Sequence, residues 1–463
     1  MLQESRRPLI TIFGPCHARL KAQPCDHLMR KEHLTSIIYV IIDGVSDRQD
    51  PRFGNKTPLE VAKTPNLDSL AAKGVSGLVY PIGRGAAPES DAGVLSLLGY
   101  DVMKQKFSRG VLEAMGGGLK FEDGDLALRC NFATVDRGKI VDRRAGRDIL
   151  LEEANCLFSA LRNDHALKKL CQYDLASTVG HRCALVLYRG LFSDAVSNTD
   201  PEYIWHGRET EIVHNLEIPA TVLKCVPLDS TIRAKRTADA LNRFAVRAFT
   251  VLNTHPINIE RKKRGQLPAN FLLMRDAGAK APRLISFWRK FNLRGIALVN
   301  NHAAELGIAK AIGIDAETFP PEPTIESHRS HAERALKLST RYDFVSVHLK
   351  GPDEPAHDGD FMKKVKAIES IDQGFFSKLA NISSKTVVVT ADHSTSCFDK
   401  AHTGDPVPIL IVGESFTPDG TARFTEASAL NGRLGVIAHG YEVLRILLRN
   451  TPARKHNPVS RHR

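Results

Sequence analysis

The sequence predicts an α/β fold, and three short runs of residues carry most of that prediction. Residues 37–42, 344–349 and 386–390 are rich in β-branched and other apolar side chains, which is typical of strands buried on both faces. From about residue 293 onwards, strand-like runs alternate with segments of helical periodicity. This alternation is typical of α/β proteins, in which helices cover a central sheet.

Each of the three runs is followed by side chains that commonly bind metal ions. They are Asp43 after the first run, Asp353 and His357 after the second, and Asp392, His393 and His402 after the third. Ligands in open α/β sheets bind beyond the carboxyl ends of strands, so these side chains are expected to meet there. Any one of them alone would be explained by a solvated loop or a satisfied core residue. Three such coincidences instead favour a divalent ion of the zinc or manganese type.

The length and the charge of the chain exclude some classes of protein. At 463 residues it is long enough for two domains, or for one core with a large insertion. No apolar run approaches the roughly 18 residues of a membrane span. Of the net charge of +12, residues 1–35 contribute +3 and residues 449–463 contribute +5. Because the body holds little excess charge and no basic stripe interleaved with aromatic residues, nucleic-acid binding is not expected.

The two ends and the cysteines indicate a cytoplasmic protein with reduced thiols. Residues 1–35 and 451–463 are basic and lack periodicity, so we expect disordered extensions there. The first of them has no apolar segment that meets a small-residue cleavage site, which argues against a secretory signal. The eight cysteines include no Cys-x-x-Cys pair, and a chain of this size needs no disulfide framework.

Ser90 is the candidate nucleophile in the first part of the chain, residues 36–109. One helix is predicted to begin at Thr64, and a Gly/Pro turn at 83–89 leads to a second. Ser90 is predicted to be the N-cap of that second helix, and capping alone would explain an isolated serine. A helix N-terminus also binds phosphate, however, and a hydroxyl there beside a metal ion is a plausible nucleophile.

Residues 110–290 differ from the regions on either side and are predicted to form a separate domain, followed by a return to the first domain over 291–450. Predicted elements in these regions are strands at 126–135, 183–187 and 408–412, helices at 234–252, 360–379 and 432–448, and a polar, basic connection at 256–265. The segment 142–147 is a dense cationic loop. Most such loops are solvated, but arginine side chains are also what bind phosphate and carboxylate groups.

Ten motifs in order resemble the archaeal-type cofactor-independent phosphoglycerate mutases, which belong to the alkaline phosphatase superfamily. The motifs are Ile-Ile-Asp-Gly at 41–44, Lys-Thr-Pro-Leu-Glu at 56–60, Lys-Thr-Pro-Asn-Leu-Asp at 63–68, Ser-Asp at 90–91, Leu-Leu-Gly-Tyr-Asp at 97–101, the stretches 129–136, 142–147, 267–270 and 353–360, and the segment 391–408. The resemblance runs from about residue 36 to residue 450.

The resemblance implies a phosphatase-like α/β metalloenzyme domain that is split in sequence by an inserted α+β substrate-binding domain. It also implies two divalent ions (Mn, Mg, Zn or Co) and a reaction in which Ser90 carries the phosphoryl group while 3-phosphoglycerate becomes 2-phosphoglycerate. The implied ligands are Asp353, His357 and His402 for one ion, and Asp43, Ser90, Asp392 and His393 for the other. The implied substrate-binding residues are Arg129, Arg143, Arg147 and Arg182.

Three segments depart from the family pattern. Ala92-Gly93-Val94 replaces the usual Thr-Ala-His, Leu306-Gly307 replaces a Lys-Gly pair, and 320–324 replaces a Gly-Ala-Thr-Gly turn. None of them touches the implied metal ligands. The alternatives are therefore a related metal-dependent phosphomutase or phosphomonoesterase that acts on another small phosphorylated metabolite, and a non-enzymatic binding protein with the same fold.

Overall fold

The computed structural model describes residues 36–105, 107–205, 210–212, 220–300, 302–319, 323–380, 382 and 384–450. The basic extensions that we expected at 1–35 and 451–463, and most of the departing segment 320–324, lie outside these ranges. Within them, no helix is both long and apolar enough to cross a membrane.

Strands and helices alternate one for one between residues 271 and 358, and elsewhere most of them occur in pairs or longer runs. The strands are β1 (Ile37–Ile42), β2 (Val75–Val79), β3 (Leu126–Asp136), β4 (Lys139–Asp142), β5 (Gln172–Val179), β6 (Arg182–Tyr188), β7 (Tyr203–Trp205), β8 (Thr210–Ile212), β9 (Ala220–Thr221), β10 (Phe271–Gly278), β11 (Gly295–Val299), β12 (Asp315–Thr318), β13 (Phe344–Leu349), β14 (Thr386–Thr390), β15 (Ser394–Ser396), β16 (Ala401–Thr403), β17 (Val407–Val412) and β18 (Gly435–Ile437). The helices are α1 (Pro58–Val61), α2 (Pro65–Ala71), α3 (Ser90–Leu97), α4 (Arg109–Gly116), α5 (Leu151–Asn163), α6 (His165–Leu170), α7 (Ile232–Asn253), α8 (Pro256–Lys263), α9 (Phe287–Phe291), α10 (Ala303–Ile312), α11 (Ile325–Leu338), α12 (Asp353–Asp358), α13 (Phe361–Gly374), α14 (Glu426–Leu430) and α15 (Val443–Asn450).

An eight-stranded sheet forms the centre of the fold, with the strand order β12-β11-β13-β1-β14-β17-β2-β18. Its strands come from residues 37–79 and 295–437, so the sheet is split in sequence. β1 lies between β13 and β14 and is parallel to both, with Ile37 opposite Phe344 on one side and Thr386 on the other. Every residue of these three strands is buried. The α/β prediction is therefore confirmed, and the three carboxyl ends lie side by side.

A second sheet of six strands has the order β5-β6-β3-β4-β9, with β10 beside β3, and all its pairings are antiparallel. Helices α5 and α7 pack against it, and Phe132, Phe158 and Phe244 belong to the core between them. All of its strands fall within residues 126–278, inside the predicted insertion at 110–290. The exact domain boundaries stay a prediction.

Helices α4 and α10 join the two sheets through a very close contact between their backbones. A Cβ atom on Gly116 would lie 1.7 Å from the carbonyl oxygen of Ala303, and one on Gly307 would lie 2.0 Å from that of Leu112. Only glycine permits such an approach. α4 also packs against β3 and β10 of the second sheet. Within the Leu306-Gly307 pair, the glycine that makes this contact is the residue that matches the family pattern.

Most of the predicted elements are confirmed, including the strands at 126–135, 183–187 and 408–412 and the helix at 234–252. The prediction of a connection at 256–265 is wrong, because α8 occupies most of it. Pro256 takes the first helical position, and His255 Nδ1 accepts a hydrogen bond from the backbone of Ile257. In the sequence, the high proportion of charged residues obscured this signal for the start of a helix.

Two helices predicted in the C-terminal half have wrong bounds. The segment 432–448 begins with β18, which pairs in parallel with β2, and the helix starts only at Val443. Pairing with the sheet overrides the helical pattern there. The helix predicted at 360–379 is α-helical only to Gly374, and a short 3-10 helix, Phe376–Lys378, continues it.

Candidate active site

Acidic and imidazole side chains converge where β13, β1 and β14 end. Asp43, His348 and Asp392, here called the inner group, are all buried, and each brings one ligand atom within 4.8 Å of the others. His348 Nε2 lies 3.4 Å from Asp392 Oδ2 and 3.9 Å from Asp43 Oδ1. Asp43 and Asp392 follow β1 and β14, and His348 lies near the end of β13. The parallel register of the three strands therefore builds this group.

Asp353, His393 and His402, here called the outer group, also bring ligand atoms within 4.8 Å of one another. Asp353 begins α12, and the pairing of β15 with β16 places His402 opposite Thr395. His402 Nε2 is 3.6 Å from Asp353 Oδ1, and its ring stacks on that of His393 with centroids 3.7 Å apart. His357 joins this group from its exposed side, with Nε2 3.5 Å from Asp353 Oδ1.

The structure brings together all seven residues that the resemblance implies as metal ligands, and His393 links the two groups. Its Nε2 lies 3.1 Å from Ser90 Oγ, 3.4 Å from Asp43 Oδ1 and 3.3 Å from Asp392 Oδ2. Its Nδ1 lies 4.0 Å from Asp353 Oδ1. By distance alone His393 could serve either group, so the implied division of the ligands between two ions stays a prediction.

The oxygen atoms of the inner group fit a divalent cation. Asp43 Oδ1 and Asp392 Oδ2 are buried, and neither has a hydrogen-bond partner among the described residues. Burying a carboxylate oxygen without a donor is costly unless a cation completes its surroundings. Carboxylate oxygens and imidazole nitrogens together are ligands that zinc and manganese accept. The chemistry of these donors therefore matches the expected divalent ions.

Three site residues, His348, Glu305 and Lys350, were not predicted. Glu305 Oε1 lies 3.0 Å from His348 Nδ1 and 3.2 Å from Lys350 Nζ, and Lys350 Nζ lies 3.0 Å from Asp43 Oδ2. Burial alone would lower the pKa of His348, but the carboxylates of Glu305 and Asp392 outweigh it and raise that pKa to about 10. The only signal for His348 was a histidine inside an otherwise apolar strand.

Ser90 is the first residue of α3, and Glu89 is the N-cap, so the prediction that Ser90 caps the helix is wrong. Its hydroxyl is free of the capping role and contacts His393 instead. α3 approaches the end of β14 so closely that a Cβ atom on Gly93 would lie 2.2 Å from the carbonyl oxygen of Asp392. The glycine in the departing segment Ala92-Gly93-Val94 thus allows the helix to bring Ser90 to the ligand groups.

Two of the four predicted substrate-binding arginines lie on neighbouring strands of the second sheet. Arg129 is on β3, with Nε 3.0 Å from Glu113 Oε1, and Arg182 is on β6 with no carboxylate partner among the described residues. Burial lowers the pKa of Arg182 to about 9, and the charges of Arg129 and Arg109 act in the same direction. This surplus of positive charge would be relieved by an anionic ligand.

The other two predicted arginines, Arg143 and Arg147, have different surroundings. Arg143 donates to both carboxylate oxygens of the fully buried Asp200, at 2.9 and 2.6 Å, and also contacts Glu202. Its charge is therefore already neutralised within the protein. Arg147 has an exposed side chain with Nη1 3.9 Å from Glu354 Oε1, and its φ of 60° lies in the left-handed region.

His302 lies within electrostatic reach of both Lys350 and Arg182. Burial lowers the pKa of this half-buried histidine to about 4, and the charges of Lys350 and Arg182 lower it further. One residue therefore experiences both the positive charge beside the inner group and that of the second sheet.

The chain is similar to several named phosphoglycerate mutases. Residues 71–258 match the family model described as 2,3-bisphosphoglycerate-independent phosphoglycerate mutase. A protein of that name from Aeropyrum pernix is 42% identical over 423 residues, covering 88% of this chain and 97% of the relative. A relative of the same description from Archaeoglobus fulgidus is 39% identical, covering 89% and 97%.

Solved structures resemble the chain over almost its whole length. The cofactor-independent phosphoglycerate mutase from Thermoplasma acidophilum is 33% identical with a TM-score of 0.60, covering 90% of this chain and 100% of that one. A protein from Pyrococcus horikoshii is 29% identical with a TM-score of 0.71, covering 91% and 99%.

Proposed function

The chain belongs to the family of 2,3-bisphosphoglycerate-independent phosphoglycerate mutases, which are isomerases, and we propose that it interconverts 3-phosphoglycerate and 2-phosphoglycerate through a phosphoserine at Ser90. The observation that carries this proposal is the position of the Ser90 hydroxyl. It lies 3.1 Å from His393 Nε2, at the edge where the carboxylates of Asp43 and Asp392 converge.

In this proposal Ser90 holds the phosphoryl group between two transfers. The Ser90 hydroxyl loses its proton as the bond from Ser90 Oγ to phosphorus forms, the bond from phosphorus to the substrate oxygen breaks, and the freed substrate oxygen takes up a proton. The glycerate then turns, and its other hydroxyl loses its proton as it takes the phosphoryl group back, while the bond from phosphorus to Ser90 Oγ breaks and Ser90 regains a proton. The backbone N–H groups at the start of α3 can donate to the phosphoryl oxygens in both steps.

Two divalent ions are part of the proposal. Bound ions would lower the pKa of the Ser90 hydroxyl and neutralise charge on the phosphoryl oxygens. The residues that would hold them are Asp353, His357 and His402 for one ion, and Asp43, Ser90, Asp392 and His393 for the other. His348 could join the second set if the ion displaces the proton from its Nε2.

Arg129 and Arg182 are proposed to bind the carboxylate of glycerate. Retaining the dephosphorylated glycerate is what separates a mutase from a phosphatase, because a free cleft would let it leave and let water attack. Arg182 is the stronger candidate, since it lacks an internal carboxylate partner among the described residues. Arg143 is proposed to hold the loop at 142–147 in place and not to bind substrate by itself, because its guanidinium is already paired with Asp200.

Replacing Arg182 by methionine should lower kcat/KM and raise the Tm of the ligand-free protein. The variant loses the buried ion pair between Arg182 and the substrate carboxylate, which should lower kcat/KM by about 30-fold or more. The lowered pKa of Arg182, about 9, means that folding disfavours its charge. The charge on Arg182 therefore destabilises the folded protein below pH 9, and this destabilisation fades as pH rises above 9. Removing the charge should remove the destabilisation at neutral pH. Steady-state kinetics and thermal unfolding would measure both effects.

Arg143→Met is the matched control for this prediction. This variant should lower the Tm instead, because the fully buried Asp200 loses the bidentate hydrogen bonds from Arg143. If Arg182→Met lowers the Tm and leaves kcat/KM unchanged, Arg182 stabilises the fold and does not bind the substrate.

The proposed activity can be tested by coupling 2-phosphoglycerate formation to enolase without added 2,3-bisphosphoglycerate. Steady turnover of 3-phosphoglycerate is expected, with little release of inorganic phosphate. Rapid phosphate release without 2-phosphoglycerate would instead identify a phosphomonoesterase. No turnover of phosphoglycerate, together with mutase activity on another phosphorylated metabolite, would assign the chain to a different substrate.

A further inference from the structure

The hydroxyl of Thr395 lies between the inner and outer groups of candidate ligands. Thr395 Oγ1 is 2.8 Å from Asp353 Oδ1 and 2.9 Å from His393 Nδ1. Thr395 is 0% exposed, so bulk water does not compete for these contacts. We propose that Thr395 is a positioning residue that fixes the tautomer of His393 and thereby assigns this histidine to the ion at Ser90. The inference rests on the metal-dependent function proposed above.

The donors and acceptors around this hydroxyl allow one arrangement of protons when His393 is neutral. An ionised aspartate only accepts hydrogen bonds, and a threonine hydroxyl has a single proton to donate. Thr395 therefore donates to Asp353, and its oxygen accepts the proton carried by His393 Nδ1. The other ring nitrogen, Nε2, is left with a free lone pair. A neutral imidazole binds a metal through that lone pair, and the hydrogen bond at its second nitrogen sets which one is free.

The free nitrogen faces the inner group and Ser90. His393 Nε2 is 3.1 Å from Ser90 Oγ and 3.3 Å from Asp392 Oδ2, whereas the nitrogen that faces Asp353 is the one bonded to Thr395. His393 cannot ligate an ion through Nδ1 while that nitrogen donates its proton. The hydroxyl of Thr395 thus leaves His393 able to bind an ion on the side of the inner group and Ser90 and not on the side of the outer group.

The backbone of Thr395 is held on both sides, which keeps its hydroxyl in place. Its N–H donates to the carbonyl oxygen of Ser46 at 3.0 Å, and its own carbonyl oxygen accepts from Lys364 Nζ at 2.7 Å. Lys364 is fully buried and also donates to Asp47 Oδ2 at 3.0 Å. The residue is therefore part of a rigid support beneath the candidate ligands.

Gly44 provides an independent sign that the hydroxyl belongs to the site. A Cβ atom on Gly44 would lie 2.6 Å from Thr395 Oγ1 and 2.7 Å from Asp353 Oδ1. The residue also has a φ of 57°, which favours glycine. The chain segment that carries Asp43 therefore leaves room for this pair of oxygen atoms, and a side chain at position 44 would separate them.

Thr395→Val removes the hydroxyl at nearly constant volume in a residue type that strands favour, and Thr395→Ser keeps the hydroxyl. Calorimetric titration of chelator-treated protein with Mn²⁺ should show binding to the valine variant weakened about 10–100-fold, as for the loss of other groups that orient metal ligands. The serine variant should bind nearly as tightly as wild type. Thr403→Val is the matched control, since Thr403 lies on the neighbouring strand β16 and its buried hydroxyl has no partner among the described residues.

A second measurement needs no variant. Nitrogen NMR of histidine-labelled, ion-free protein, followed to a pH at which His393 is neutral, should show its single proton on Nδ1, and a neutral ring with the proton on Nε2 would overturn the inference. Equal Mn²⁺ affinity in wild type and Thr395→Val, or equal weakening in Thr403→Val, would overturn it too while leaving the metal-dependent function intact. A wild-type protein that binds no divalent ion would instead remove the proposed function, and the inference with it.

Discussion

Replacing Ser90 by alanine should lower kcat by about 10⁴-fold or more, the scale on which loss of a covalent nucleophile acts in other enzymes. The fold should survive, because Glu89 is the N-cap of α3 and the hydrogen bond of the Ser90 hydroxyl among the described residues is to His393. Alanine also has a higher helix propensity than serine. Kinetics in the enolase-coupled assay, with thermal unfolding to verify the fold, would measure both effects.

Ser96→Ala is the matched control, because it removes a buried hydroxyl from the same helix and that hydroxyl has no partner among the described residues. It should turn over at close to the wild-type rate. Wild-type protein incubated with 3-phosphoglycerate and quenched in acid should carry phosphate on the peptide that contains Ser90. The relay through Ser90 is wrong if that peptide is never labelled and Ser90→Ala keeps near-normal turnover.

Removing divalent ions should abolish turnover and lower the Tm, and manganese or cobalt should restore both. The reason lies in the inner group, where Asp43 Oδ1 and Asp392 Oδ2 are buried and lack hydrogen-bond partners among the described residues. An ion that binds the folded but not the unfolded chain adds about 2.7 kcal/mol at a concentration of 100 times its Kd. Activity and thermal unfolding would be measured before and after chelation, with the metal content determined by mass spectrometry.

The ion-free protein should nevertheless unfold cooperatively, since Lys350 Nζ lies 3.0 Å from Asp43 Oδ2 and keeps part of the negative charge compensated. Asp353→Asn should resist rescue by manganese. Asp358→Asn is its control, because Asp358 ends the same helix, α12, and has an exposed side chain. Full activity in protein that holds no metal would exclude the two-ion mechanism.

The sequence was most informative where strands are buried on both faces. The runs at 37–42, 344–349 and 386–390 match β1, β13 and β14 at every residue. Burial on both faces favours apolar side chains along most of the strand, with Ser346 and His348 as polar exceptions in β13, and the polar residues beyond each run mark its end. These polar residues could therefore be recognised as site candidates before their contacts were known.

The residues that escaped prediction depend on contacts between distant segments. His348 lies inside the apolar run that forms β13, and Glu305 lies in α10, more than 40 positions earlier in the chain. Nothing local marks their pairing, which arises only when α10 packs beside the sheet. The neutralisation of Arg143 by Asp200 is likewise invisible locally. Spacing along the chain can therefore identify charged side chains as site candidates, but it does not predict which of them remain unpaired in the folded protein.

The contact of Gly116 with Ala303 and of Gly307 with Leu112 restricts how this architecture can change over evolutionary time. Each glycine faces a backbone oxygen at a distance that no other residue permits. A lineage that lengthened, shortened or exchanged the segment of the second sheet would have to preserve both glycines at once, although they are almost 200 positions apart. The inserted segment is therefore not a freely exchangeable module, and its sequence is expected to vary together with that of α10.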